Sequence, residues 1–281
     1  MPRALVSLYV FKREGITMFT KMFGIRTPSE CCVEFTFRYM FFSLFFVMLF
    51  TLPSAADLRD GLINYWPLDG DAMDIVGKHD GEVVGGPAWV NARIGKGVEL
   101  DGGSQKIHIA DYKVITETTT YAAWINGWKA SDWAGIVGSR TPTATELIFG
   151  DNDLLHYVWN NNSAETWRWD GGPEIPMEEW ALAAMTIEPK HAILYIYSDA
   201  DGLTKGINDI PHVEQPIGPL NIGWVDCCGG NRYFKGIIDE VMIFDRALSE
   251  DEILKLAEQG LAVEALNKLT TAWGKIKRAR R

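Results

Sequence analysis

The sequence predicts an all-β sandwich of two antiparallel sheets. Gly, Asn and Asp punctuate the chain every 8 to 12 residues, and the runs between them are short, apolar, aromatic and β-branched. No structureless linker of about 20 residues interrupts these runs, which favours one domain over two. Solenoid-type repeats are absent from the 281 residues.

Taken from the start, residues 1–56 read as a leader. Tyr39–Leu52 is a charge-free run of 14 residues, shorter than the roughly 18 to 20 that span a bilayer. It follows Lys21, Arg26 and Arg38 and precedes small residues, so cleavage after Ala56 is expected. The alternative is an uncleaved membrane anchor, and Met18, Met22 or Met40 is an alternative start. Cys31 and Cys32 precede the run, which argues against a lipoprotein.

Residues 57–260 form the predicted domain, with strands over Leu62–Leu68, Glu82–Val84, Gly97–Leu100, Lys106–Ile109, Thr118–Trp124, Ala134–Ser139 and Glu146–Phe149. Further strands are predicted over Leu154–Trp159, Thr166–Trp169, Ala181–Ile187, Ala192–Tyr197, Leu220–Gly223 and Tyr233–Phe244. One helix, 250–259, has a clear start: Ser249 and Glu252 form an S-x-x-E capping box, Leu248 and Ile253 a staple, and Gly260 the stop. Residues 261–281 read as a basic tail, either a second amphipathic helix or a frayed end.

Charge is distributed unevenly. Residues 57–260 carry 15 basic against 33 acidic side chains, a net −18, whereas 261–281 carry six basic groups against Glu264. An acidic body repels nucleic acid and suits an extracellular, calcium-containing setting. The predicted domain holds two cysteines, Cys227 and Cys228, adjacent in sequence. With Cα atoms about 3.8 Å apart, a bond between them would be strained, so an oxidised pair, two free thiols and intermolecular pairing all stay open.

Three stretches carry a resemblance: GLINYWPLDGDAMDIVGKHDGEVVGGPAWVNARIGKGVELDGGSQKIHI, EEWALAAMTIEPKHAILYIYSDADG and LNIGWVDCCGGNRYFKGIIDEVMIFDRALSEDEI. In this order they are similar to LamG-like jelly-roll domains of the concanavalin A-like lectin and glucanase fold, over roughly residues 60–257. The resemblance implies two face-to-face sheets with the first and last strands near each other. It leaves function open, because the fold hosts lectins, spacers and glycan-cleaving enzymes. It also implies a structural calcium ion between the first loop and the last strand, carried over to Asp74 and Asp239, with main-chain oxygens near Gly77 and His79 and weaker candidates in Asp69 and Asp71.

The residues themselves pose the same question. Asp239 and Glu240 lie side by side in a strand otherwise suited to a core, and an uncompensated buried carboxylate costs several kcal/mol. Asp69, Asp71, Asp74 and Asp80 fall within one short glycine-containing loop, as a hard cation requires. Asp239 is expected to meet a cation or backbone amides of that loop, and Glu240, on the other face, to reach solvent or pair with Arg232 or Arg246.

Catalytic signals are absent from the sequence. The E-x-D-x-E patterns that glucanases of this fold resemble do not occur, nor do a G-x-S-x-G elbow, H-E-x-x-H spacing or a phosphate-binding glycine loop. Eleven Trp are present, and an indole beside Asn or Asp in a loop is a sugar platform. Two clusters qualify, Trp128 with Trp133, and Trp159, Trp167 and Trp169 beside Asn160, Asn161 and Asn162. The second is favoured, with Trp167 and Trp169 on one strand face. The expectation is a secreted, non-catalytic module that binds a glycan or an extracellular protein ligand. A glycan hydrolase or lyase and a ligand-free spacer are the alternatives, and membrane contact is expected only through an uncleaved leader.

Overall fold

The computed structural model describes residues 57–127, 132–228 and 232–261, so the predicted leader and all but Leu261 of the predicted tail lie outside it. The strands run β1 (Leu62–Trp66), β2 (Glu82–Val84), β3 (Ala88–Asn91), β4 (Lys96–Asp101), β5 (Lys106–Ile109), β6 (Val114–Thr116), β7 (Thr119–Gly127), β8 (Ala134–Ser139), β9 (Thr145–Phe149) and β10 (Leu155–Trp159). They continue as β11 (Ala181–Glu188), β12 (His191–Ser198), β13 (Gly202–Asn208), β14 (Gln215–Ile217), β15 (Leu220–Ile222) and β16 (Lys235–Phe244). Helix α1 (Ser163–Trp167) follows β10 after a 3-10 turn, and α2 (Glu250–Gln259) follows β16.

The strands make two antiparallel sheets, β13-β12-β11-β7-β16-β4-β3 with β1 also on β16, and β10-β9-β8-β15-β5-β2; β6 and β14 form a separate pair. Between them lies the core, where Trp66, Tyr121, Ile136, Leu147, Tyr157, Met185, Leu220 and Val241 are fully buried. Alternation of side chains along each strand puts these residues inward and their neighbours outward. The terminal strands do pair, β1 with β16, which protects the edge each would expose.

A second apolar layer covers the outer face of the eight-stranded sheet. Ile253, Leu256 and Ala257 of α2 pack with Leu248 and Leu261 on Trp124, Leu182, Tyr195, Met242 and Phe244. The capping box forms as predicted, Ser249 and Glu252 each accepting from the other's backbone N–H, and Gly260 ends the helix at φ 64°. Arg246 binds Glu252 through two bonds of 2.7 and 3.0 Å and holds the Glu252 carboxyl down at about 2.

Three sequence expectations need correction. Thr166–Trp169 is not a strand: burial recurs every third residue there, and Ser163–Trp167 is helical. Strands β3, β6, β13 and β14 were not expected; most of their residues alternate weakly or lie at sheet edges. Glu240 does not reach solvent or an arginine. It is buried and accepts a hydrogen bond from Tyr65 Oη, because β16 bulges between Asp239 and Met242, placing Glu240 at φ 51°. At that bulge the neighbour on one edge of β16 changes from β4 to β1, and both acids are buried.

Candidate functional site

The first loop organises itself around Asp74. This buried carboxylate accepts from Asn64 Nδ2 at 2.6 Å and from the N–H groups of Tyr65, Val76, Gly77 and His79 at 2.9 to 3.1 Å. Gly77 is required by this closeness, since a Cβ there would stand 2.2 Å from Asn64 Nδ2. Asp71 and Asp80 accept from Met73 and Asp74 amides, and the His79 carbonyl accepts from Trp66 Nε1. The loop's acids thus terminate loop amides, the same role a helix N-cap plays.

Asp239 meets other partners than that loop's amides. Its Oδ2 accepts from the Ile94 N–H at 2.9 Å, in the β3–β4 turn, while Oδ1 has no hydrogen-bond partner among the described residues. Burial first, with the Asp69 charge as a lesser contribution, pushes its carboxyl up to about 7. Asp69 itself accepts from the Lys96 amide at 2.8 Å. Asp74 and Asp239 therefore engage separate donor sets, and among the described residues no group of three His, Cys, Asp or Glu gathers. Of the expected ligands, Asp74 has its oxygens taken by N–H donors and the His79 carbonyl accepts from Trp66 Nε1, whereas Asp239 keeps Oδ1 without a described partner.

A row of side chains crosses the outer face of the six-stranded sheet. Register pairs Val158 with Glu146, Glu146 with Gly138, Gly138 with Asn221, Asn221 with His108 and His108 with Glu82. At about 4.8 Å per strand spacing, Glu146 and Glu82 stand on the order of 19 Å apart. Glu146 is fully buried and takes both Nε and Nη2 of Arg140 at 2.8 Å. Burial outweighs that pair and pushes the Glu146 carboxyl up to about 7. Gly138 lets the acid lie flat, since a Cβ there would meet Glu146 Cγ at 2.9 Å. His108 Nδ1 lies 2.9 Å from Asn221 Oδ1.

Aromatic stations flank the row. At one side Trp133 meets Trp167 edge-on at 5.8 Å and His156 at 5.1 Å, with Arg168 over Trp167 at 4.7 Å and Arg232 over Trp133 at 6.0 Å. Trp167 is 37% exposed. Its position is set from below: His156 Nδ1 lies 3.3 Å from the Trp167 carbonyl, and Asn208 Nδ2 donates to the Glu165 carbonyl at 3.1 Å and to Tyr157 Oη at 2.9 Å. At the other side Trp224 stacks on Tyr233 at 5.6 Å and carries Lys106 Nζ at 3.5 Å over its ring. Between them Ile148, Val158 and Val225 close the surface with Ala144.

The structure therefore redistributes the predicted platform. Trp167 is at the surface as expected, but Trp169 turns to the core and meets Tyr157 edge-on at 6.1 Å, so the two do not share a face. Trp159 is fully buried with Nε1 donating to the Val213 carbonyl at 2.7 Å. Trp128 and the Asn161 side chain lie outside the described residues. Trp133, from the less favoured cluster, is the true neighbour of Trp167. Cys227 and Cys228 follow Trp224 on the segment lying against this face, their sulfurs at bonding distance. A separate open groove of about 670 Å³ is lined by Gly86, Ala88, Glu99, Leu100, Asp101, Gln105 and Lys235. It offers no aromatic ring, and Asp101 there is already bound by the Gly103 and Ser104 amides.

A family model of laminin-G type, described as the concanavalin A-like lectin/glucanases superfamily, matches residues 101–254, more than half of the chain. The chain belongs to this superfamily. Its LamG-like jelly roll is similar to domain 4 of an extracellular arabinanase from Geobacillus stearothermophilus, solved with arabinotriose, at 22% identity and TM-score 0.55 over 70% of this chain and 98% of that one. It is also similar to the binding domain of Paraclostridial mosquitocidal protein 1, at 18% identity and TM-score 0.53, covering 71% of this chain and 52% of that one. The ligand-binding domain of botulinum neurotoxin serotype D, solved with N-acetylneuraminic acid, matches at 18% identity and TM-score 0.52 over 71% and 51%. The chain thus spans about half the length of the two toxin domains. At such identities these likenesses establish the fold. No curated protein sequence matches the chain.

Proposed function

We propose that this LamG-like domain is a secreted, non-catalytic module that binds a glycan on the outer face of its six-stranded sheet, beginning at the Trp133–Trp167 pair. The carrying observation is that pair: two indoles from separated segments brought to 5.8 Å, one of them partly exposed, beside a polar row. Sugars stack apolar C–H faces on such rings and hydrogen-bond to flanking side chains. The neighbours solved with arabinotriose and with N-acetylneuraminic acid support the glycan class, and their extracellular or toxin context supports secretion. Hydrolysis draws less support, because the row's two carboxylates stand far beyond the roughly 5 to 9.5 Å separation of glycosidase pairs.

A glycan array with the full chain, followed by Trp133→Ala and Trp167→Ala, tests the reading. Retention on some glycan that both variants lose, with melting temperature kept, supports it. Retention unchanged in both variants, or binding to an extracellular protein and to no glycan, sinks it. A structural calcium ion is a separate proposal, supported at one place, the leftover Oδ1 of Asp239 beside Asp69; melting curves with and without EDTA test it, and no shift removes the ion. An oxidised Cys227–Cys228 pair belongs to the same secreted reading and is checked by thiol-labelling mass spectrometry of the unreduced chain.

A further inference from the structure

We infer that the glycan bound on this face carries a carboxylate, and that Arg232 is the residue that reads it. The inference rests on the glycan-binding reading and deepens it.

Among the described residues, four cationic side chains lie along the row and its aromatic stations: Arg140, Lys106, Arg168 and Arg232. Arg140 is engaged by both oxygens of Glu146 at 2.8 Å. Lys106 lies over Trp224 at 3.5 Å, with Asp226 and Glu82 in its field. Arg168 is exposed and lies over Trp167 at 4.7 Å. Arg232 differs. It is a half-buried guanidinium over Trp133 at 6.0 Å, whereas Arg168 is exposed and Lys106 is an ammonium without the planar fork; none of these three makes an ion pair among the described residues.

Its backbone is fixed, since Gly135 N–H donates to the Arg232 carbonyl at 3.1 Å, so the side chain starts from a set point on β8. Desolvation is the main influence on the guanidinium and Arg140's charge the next; both work against its charge, and the Glu146 carboxylate, already taken by Arg140, favours it. A guanidinium nevertheless stays protonated at any ordinary pH. The surroundings therefore hold a partly desolvated positive charge whose N–H donors meet no carboxylate in an ion pair among the described residues, beside an indole that can take the sugar ring. A carboxylate arriving on a sugar supplies a planar, two-oxygen acceptor that the guanidinium fork matches.

The wider field selects the kind of anion. Residues 57–260 are net −18, so a densely charged polyanion is repelled from the body as a whole. A single half-buried guanidinium beside the indole pair suits one carboxylate per binding unit, as on a uronic acid or a sialic acid.

The test is calorimetric titration of the full chain at low salt with trigalacturonate and with sialyllactose, each against its neutral counterpart, the methyl ester and lactose. At least one acid is expected to bind tenfold or more tightly than its neutral partner, and which one separates a uronic from a sialic source. Arg232→Gln is expected to erase that difference. Arg232→Lys, which keeps the charge and loses the fork, should retain part of it, and melting curves of both variants establish that they fold. Trp167→Ala should weaken acid and neutral forms alike. Equal binding of acid and neutral sugars, or discrimination that survives Arg232→Gln, overturns the inference while leaving glycan binding standing. Failure of every saccharide to bind overturns both.

Discussion

The two sheets of this sandwich treat their outer faces in opposite ways. On the eight-stranded sheet, α2 lays Ile253, Leu256 and Ala257 over Trp124, Leu182 and Phe244, and the face is sealed. On the six-stranded sheet the corresponding face keeps a polar row, two aromatic stations and the small apolar cluster of Ile148, Val158 and Val225. Acids mark the same contrast. Glu252 on the sealed side is held down at about 2 by Arg246, whereas Glu146 on the other side is pushed up to about 7 by burial in spite of Arg140. A face closed by a helix adds stability, and a face left with partly satisfied charge and exposed rings is available for recognition.

The contrast is broken most severely by Leu256→Ala. Leu256 is fully buried in the sealing layer, and such truncations cost about 2 to 5 kcal/mol. Guanidinium denaturation is expected to show that loss with glycan binding retained in the folded fraction; a change below about 1 kcal/mol would mean the helix is not a true seal. Glu146→Ala comes next on the open face, because it leaves Arg140 without its acid, and removing one member of a buried pair costs about 3 kcal/mol or more.

pH sharpens the same comparison. Glu146 holds its proton more tightly folded than unfolded, so at this site the folded state binds more protons between about pH 4.3 and 7, and its contribution to stability falls as pH rises through that window, while His212, held down at about 4 by burial, works oppositely below about pH 6.5. Asp239, also raised to about 7, contributes in the same direction as Glu146. Glu252 works oppositely, its contribution being lost as pH falls from about 4.3 towards 2. Melting temperatures are therefore expected to be higher at pH 5.5 than at pH 8, and Glu146→Gln should flatten that slope. A wild-type profile level across pH 5.5 to 8 would contradict the raised carboxyls.

Smaller effects follow from single contacts. Ser249→Ala removes the cap of the sealing helix, worth about 1 kcal/mol in denaturant. Trp167→Ala should change stability least, within about 0.5 kcal/mol as for exposed positions, while abolishing glycan retention. That pairing of a small stability change with a large binding change is what separates the open face from the sealed one, and its reversal would move the site elsewhere.

Much of the fold was legible because its signals are local. The Ser249–Glu252 box, the Gly260 stop and the alternation of β5 and β12 each lie within a few residues and form as read. The site was less legible. Trp167 was found, but its partner Trp133 comes from the other side of β8, β9 and β10, and the four residues from 166 to 169 hide a helical turn behind an alternating pattern. Asp239 and Glu240 read as facing opposite ways because period two assumes an unbroken strand, and a single extra residue in β16 cancelled it. Arg232 and Glu146, which define the charge of the face, carried no sequence signal pointing to each other.

By itself the sequence determined the layered β architecture and the capped helix, since each follows from hydrophobic period or from groups that touch their chain neighbours, while the meeting of first and last strands was what the resemblance implied. Only the tertiary structure decided which acids share a face, which indoles meet and which guanidinium lies half-buried beside them. Those depend on strand order, with β15 inserted between β8 and β5. That order is fixed by pairing distant segments to bury one core, and no short window of residues records it.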